Sequence, residues 1–160
     1  MPEAIVRDVK TISVHQSYHG WPTVVRRKGG ELVVVCSAGR ERHVCPFGQV
    51  HLIRSADNGR SWSAPEVLVN GPLDDRDAGI IETSKGTLLV NWFTSLAWRN
   101  SLAAAEAAGG ERLAAMGDGF VVRCRKIRAL LNDDLIRREL GTWMLRSTDG
   151  GVTWSAPYAV

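Results

Sequence analysis

Short apolar runs, four to seven residues long and rich in Val, Ile and Leu, recur along the first half of the chain and are separated by turn-forming residues. Thr23-Val24-Val25-Arg26, Leu32-Val33-Val34-Val35-Cys36, Gln49-Val50-His51-Leu52-Ile53 and Glu66-Val67-Leu68-Val69 read as four strands, with Lys28-Gly29-Gly30 turning the first into the second. The same grammar returns in Ala78-Gly79-Ile80-Ile81-Glu82, a Ser84-Lys85-Gly86 turn, Thr87-Leu88-Leu89-Val90-Asn91-Trp92-Phe93 and Trp143-Met144-Leu145-Arg146. Ahead of both groups, Ile5 to Val14 alternates apolar and polar and reads as one more extended segment. Residues 95–140 differ: Ala103 to Ala108 and Leu113 to Met116 favour helix, glycines break the pattern at 109–110 and 117–119, and Val121, Cys124, Ile127, Leu131 and Leu135 recur near helical spacing. Two or three helices are expected there, as a flap on an otherwise all-β chain.

Each group of strands contains one copy of a longer pattern. Ser55-Ala56-Asp57-Asn58-Gly59-Arg60-Ser61-Trp62 matches Ser147-Thr148-Asp149-Gly150-Gly151-Val152-Thr153-Trp154, and both continue Ser-Ala-Pro. A Ser followed two places later by Asp supplies side-chain acceptors and donors for a tight turn, and Gly59 and Gly151 supply positive φ. Trp62 and Trp154 stand where an indole folds back onto the sheet. The carboxylates of Asp57 and Asp149 are therefore assigned to the turns, and the two copies mark a duplicated structural unit.

Successive connections in an antiparallel sheet alternate between its two ends. If the repeated turns occupy one end, segments 38–48, 70–77 and 95–140, with the opening at His19 to Pro22, gather at the other. These are the segments rich in reactive side chains: Arg40, Glu41, Arg42 and His43; Asp74, Asp75, Arg76 and Asp77; His19 and Trp21; Trp98 and Arg99. A cleft is expected there, with Asp75 and Asp77 as candidate catalytic acids and Arg40, Arg42, Arg76, His43, His19 and Trp21 as candidate substrate contacts. The alternative for 74–77 is a turn whose acids cap amides and pair with Arg76.

Composition narrows the classes. Net charge is +3, but Lys and Arg are dispersed among acids, which does not favour nucleic acid, and the basic residues of 123–138 read as a solvated helix face. No apolar run approaches the ~18 residues of a membrane span and the start lacks a secretory layout, so a cytoplasmic location is the default, with secretion expected instead if the true start lies upstream. Three cysteines without CxxC spacing argue against a disulfide framework, and His43-x-Cys45 with His19 and His51 lacks regular zinc-ligand spacing. No cofactor or metal is expected.

The repeated S-x-D-x-G-x-x-W pattern resembles the Asp-box, or BNR, repeat of sialidases and related β-propellers. The resemblance implies two four-stranded antiparallel blades of a sialidase-type, six-bladed propeller, the first over about 18–70 and the second over about 77–160 with its helical insertion at 95–140. Asp57 and Asp149 lie 92 residues apart, against about 40–50 for a blade, and the insertion accounts for the excess. The Asp boxes, Ser55, Asp57, Gly59 and Trp62 with Ser147, Asp149, Gly151 and Trp154, are structural. Tyr18-His19-Gly20-Trp21-Pro22 looks like the opening in which sialidases carry a substrate-binding Arg, but Gly20 holds that place. Segment 38–48 lacks the family's acid/base Asp and offers Glu41 or His43. The chain is similar to divergent sialidase-like proteins with a His-Val-Cys-Pro-Phe-Gly loop, here His43 to Gly48, and an Asp-Asp-Arg-Asp segment. The resemblance implies an exo-acting glycosidase on an acidic or polar glycan, or else a non-catalytic glycan- or protein-binding propeller, with a glycan or glycoconjugate as partner. It also implies an N-terminal fragment that self-associates through its open edge.

Overall fold

In a computed structural model the chain is described over residues 8–13 and 17–160. Residues 8–13 form no regular element, and Ile5, Val6 and Val14 of the expected leading strand lie outside the described residues. Among the described residues, eight strands make two four-stranded antiparallel sheets in simple sequential order. The first contains β1 (Tyr18–Arg26), β2 (Leu32–Arg40), β3 (Gln49–Ser55) and β4 (Glu66–Val69). The second contains β5 (Asp74–Glu82), β6 (Leu88–Ser95), β7 (Thr142–Ser147) and β8 (Tyr158–Ala159). Between β6 and β7 stand four helices rather than two or three: α1 (Ala97–Ala108), α2 (Gly110–Ala114), α3 (Asp118–Leu130) and α4 (Asp133–Glu139). Gly109, Gly110 and Gly117, all at positive φ, make the breaks between the first three. The protein is mostly β, and no described helix is long and apolar enough to cross a membrane.

The sheets face each other across one core. Val33, Val35, Val50 and Leu52 of the first sheet meet Ala78, Ile80, Leu88, Val90, Trp92 and Leu145 of the second, all of them buried. Alternation along β2 sends Val34 and Cys36 to the opposite face, where with Ile12, His19, Pro22 and Ile53 they line a cavity of about 200 Å³. That double burial explains why β2 is apolar at consecutive positions instead of alternating. A second core holds the helices: Trp98, Leu102, Phe120, Val121 and Cys124 close over Cys45 from the β2–β3 connection.

Both repeated turns have the same internal wiring. In the first, Asp57 Oδ1 accepts from Ser55 Oγ (2.9 Å) and Ser61 N (2.8 Å), while Ser55 Oγ accepts from Gly59 N (2.8 Å). In the second, Asp149 Oδ1 accepts from Ser147 Oγ (2.7 Å) and Thr153 N (2.9 Å), and Ser147 Oγ accepts from Gly151 N (2.7 Å). The Ser61 and Thr153 hydroxyls, then the amides, hold both carboxyls well below the usual carboxylate range. An arginine precedes each Ser. Arg54 reaches across to the neighbouring sheet and donates to the carbonyls of Gly150 (3.1 Å) and Gly151 (2.8 Å) inside the second turn, whereas its counterpart Arg146 is exposed.

The helices leave and rejoin the second sheet at one residue. Thr94 Oγ1 donates to the Glu139 carbonyl (2.6 Å) and accepts from Gly141 N (2.9 Å), while Thr94 N donates to the Gly141 carbonyl (2.9 Å).

Arg54 is the inter-sheet bond most easily removed without opening a core. Arg54→Ala is expected to lower stability by about 1–2 kcal/mol, read as a lower urea midpoint, since two turn carbonyls lose their donor. An unchanged midpoint would show that the carbonyls find water at no cost.

Candidate functional site

The end of the sheets opposite the repeated turns is built from strand, not loop. β2 continues through Arg40 and β5 begins at Asp74, so Asp74, Asp75 and Arg76 lie within a strand, and the expected loop at 70–77 shrinks to 70–73. Alternation then separates the charges. Asp74 and Arg76 share one face, with Arg76 NH1 3.9 Å from Asp74 Oδ2, while Asp75 takes the other.

Arg40 and Asp74 form the pair that joins the sheets here. Arg40 donates through NH1 to Asp74 Oδ1 (2.6 Å) and through NH2 to Asp74 Oδ2 (3.0 Å), and both residues are fully buried. Its NH2 also donates to the His43 carbonyl (2.7 Å). Burial raises the Asp74 carboxyl, opposed by the hydrogen bonds and charge of Arg40. The fork is thus occupied by protein atoms, and Arg40, expected as a substrate contact, serves the scaffold. Gly48 lies against this pair: a Cβ there would collide with Asp74 Oδ1, Arg40 NH1 and the Asp75 carbonyl.

Asp75 is also spoken for. Its Oδ1 accepts from Trp92 Nε1 (2.8 Å) and its Oδ2 from Gly71 N (2.6 Å), with 1% of the residue exposed. Burial pushes its pKa up to about 6, against those two N–H groups. Arg42 turns to the helices, its guanidinium 3.9 Å above the Phe120 ring and its NH2 donating to the Met116 carbonyl (2.7 Å). His19 meets His51 edge-on at 5.5 Å, beside Cys36 rather than at the rim.

The remaining candidates assemble at two irregularities in adjacent strands. The β1–β2 register slips between Gly20 and Thr23, and the β5–β6 register slips between Arg76 and Gly79. At these bulges Trp21 (φ 49°) and Asp77 (φ 49°) take left-handed backbone that neither residue favours. The strands are tied at this level by Thr23 Oγ1 donating to the Ala78 carbonyl (3.0 Å) and by Asp77 N donating to Ser37 Oγ (2.7 Å). Trp21 lies 4.9 Å from the His43 ring and 6.0 Å from Tyr18, with the Arg76 guanidinium 5.6 Å over its face. Asp77 is half-buried, and its Oδ1 and the Arg76 Nε are enclosed without a hydrogen-bond partner. An unsatisfied carboxylate oxygen on left-handed backbone carries a cost in the resting protein.

His43 owes its place to the helices. Glu41 pairs with Arg123, Phe47 packs edge-on against Phe120 at 6.3 Å, and Cys45 sits in the helical core, so the β2–β3 connection is held on both sides of His43. Beside it, a groove of about 350 Å³ between this connection and α3 and α4 is lined by Phe47, Pro72, Ile127 and Leu131 and offers no charged group. Among the described residues no cluster of three or more His, Cys, Asp or Glu is arranged to hold a metal ion. Sequence reasoning missed Ser37, Trp92 and Tyr18. Trp92 carried a signal, because a buried indole N–H needs an acceptor.

No protein-family model and no curated protein matches the chain. Among solved structures, a protein of unknown function from Dyadobacter fermentans DSM 18053 is similar at 20% identity and a TM-score of 0.59, over 92% of this chain and 37% of that one. A second, the Hadza microbial sialidase Hz136, is similar at 19% identity and a TM-score of 0.53, over 88% of this chain and 25% of that one. The likeness is one of fold, and the chain spans well under half the length of either protein.

Arg40→Ala leaves the Asp74 carboxyl buried without its partner and is expected to cost about 3–5 kcal/mol in chemical unfolding; a loss under about 1 kcal/mol would show that water replaces the guanidinium. For Asp75, the folded pKa of about 6 lies above the free-chain value near ~4. Its contribution is therefore complete below about pH 4 and lost as pH rises through about 6. The urea-midpoint gap between wild type and Asp75→Asn should narrow over that window, and a widening gap would reverse the sign.

Proposed function

We propose that the chain is part of a sialidase-like β-propeller and contributes a glycan-processing site in which Asp77 exchanges a proton with the glycosidic oxygen. One observation carries the reading: Asp77, alone among Asp74, Asp75 and Asp77, has an enclosed oxygen with no protein partner, on a bulge beside Arg76 and the exposed Trp21. A general acid must keep its carboxyl free of structural duty until the leaving group arrives. Asp74 and Asp75 do not meet that condition. Supporting the propeller, the two sheets repeat one turn at the same end, and a sialidase shares the fold. The indole of Trp21, 37% exposed, supplies a surface for the apolar face of a sugar.

A non-catalytic reading is favoured by one fact. Asp75, the carboxyl nearest to Asp77 in sequence, is held by Trp92 and Gly71 and is not free to act as its partner acid. Glycosidases of the common type use two carboxyls, and sialidases, which the chain resembles, use a Tyr nucleophile instead.

The two readings part on a fluorogenic glycoside panel. If Asp77 transfers the proton, Asp77→Asn lowers kcat/KM by about 100-fold or more while the fold persists. Full turnover in Asp77→Asn removes Asp77 from the mechanism, and glycan-array binding without release by wild type selects the binding module.

A further inference from the structure

We infer that the cleft between the end of β6, the start of α1 and α3 is a binding site for a small organic carboxylate. The inference stands apart from the glycan reading and uses none of its residues. The cleft has a volume of about 620 Å³, and its walls combine the apolar side chains of Leu96, Ala97 and Leu140 with the polar ones of Arg99, Asn100 and Arg128. Two guanidiniums line it and no carboxylate does. A concave surface of one sign with apolar walls concentrates its field on whatever enters, so a charged occupant here is an anion.

Arg99 is the cation in the cleft that lacks a partner. Elsewhere in the helices Arg123 pairs with Glu41, Arg125 and Arg128 share Glu106, Arg137 pairs with Asp134, and Arg138 lies 3.8 Å from Glu139. Of the two arginines left over, Arg112 is exposed on α2, where water serves it. Arg99 is half-buried and, among the described residues, makes no hydrogen bond or ion pair. Its own helix offers no remedy: the first turn of α1 holds no acid, and the residues three and four positions on are Leu102 and Ala103. Arg128 is committed, its NH1 and NH2 donating to the two oxygens of Glu106 (2.7 and 3.3 Å). The cleft thus holds one free guanidinium fork, which matches a carboxylate accepting two N–H groups in its plane. The apolar walls favour an organic anion over an inorganic one, because only a ligand with an apolar body removes them from water.

The test uses the whole chain and isothermal titration calorimetry, with benzoate as probe, benzyl alcohol as its uncharged counterpart and inorganic phosphate as an anion without an apolar body. Benzoate is expected to bind about tenfold or more tightly than either, and to weaken as salt is raised. Arg99→Ala is expected to weaken benzoate by about tenfold or more, while Arg112→Ala, which removes the same charge from an exposed position on α2, keeps wild-type affinity. Ala103→Phe fills the cleft without touching a charge and is expected to abolish binding, so it locates the site even if Arg99→Ala does not fold. Phosphate binding as tightly as benzoate overturns the choice of an organic carboxylate. Benzoate binding that survives Arg99→Ala or Ala103→Phe, or its absence in wild type, overturns the site.

Discussion

One buried ion pair sets the relation between the sheets at the end where the chemistry gathers. Arg40 closes β2 and Asp74 opens β5, so their two hydrogen bonds fix the last residue of a strand in one sheet against the first residue of a strand in the other. Charges taken this far from water are tolerated only when geometry is close to ideal and other polar atoms fill the remaining valences. The His43 and Asp75 carbonyls do that for the two terminal nitrogens, while Arg40 Nε is enclosed without a partner. The requirement reaches a residue that makes no hydrogen bond to either charge: position 48 must lack a Cβ, because any side chain there would enter the space that the pair occupies. Fixing Arg40 also fixes the start of the connection that carries His43.

With the sheets pinned, the neighbouring irregularities become intelligible. Two strands in contact each carry an extra residue at the same level, and each presents a side chain that regular pairing would have aimed elsewhere. Left-handed backbone at a tryptophan and an aspartate costs of order 1–3 kcal/mol each. The scaffold bears this because Thr23, Ser37 and the Arg40–Asp74 pair overdetermine the surrounding backbone. The outcome is a division of labour among similar residues. Of three aspartates in four consecutive positions, one holds the sheets, one holds an indole and one keeps an oxygen unclaimed.

Much of the architecture was legible in the sequence. The apolar runs, the glycine turns and the duplicated Ser-x-Asp pattern predicted two four-stranded antiparallel sheets with helices between the sixth and seventh strands, because each signal is local and periodic. The residues around the site were less legible, for a physical reason. Whether Arg40 is a ligand contact or a strut depends on Asp74, thirty-four positions away, and no spacing rule connects them. Likewise, Arg54 and Arg146 hold equivalent places in the repeat, yet among the described residues Arg54 grips the neighbouring sheet while Arg146 is exposed. The 74–77 segment misled because four charged residues look like a solvated loop. In a strand buried on both faces, Asp74 and Asp75 are instead taken up by internal hydrogen bonds.

Thr94 gives the helical segment a particular status. Its hydroxyl and amide bind the Glu139 and Gly141 backbone, so the chain departs for α1 and returns from α4 at one clasp. To the strands on either side, everything between is a loop whose ends already touch, and the entropy of closing a loop grows only slowly with its length. The four helices are thus interchangeable ornament as far as β6 and β7 are concerned. They are indispensable only to the connection they enclose, the one that presents His43. Change in that segment reshapes the rim of the site and leaves the sheets beneath it as they were.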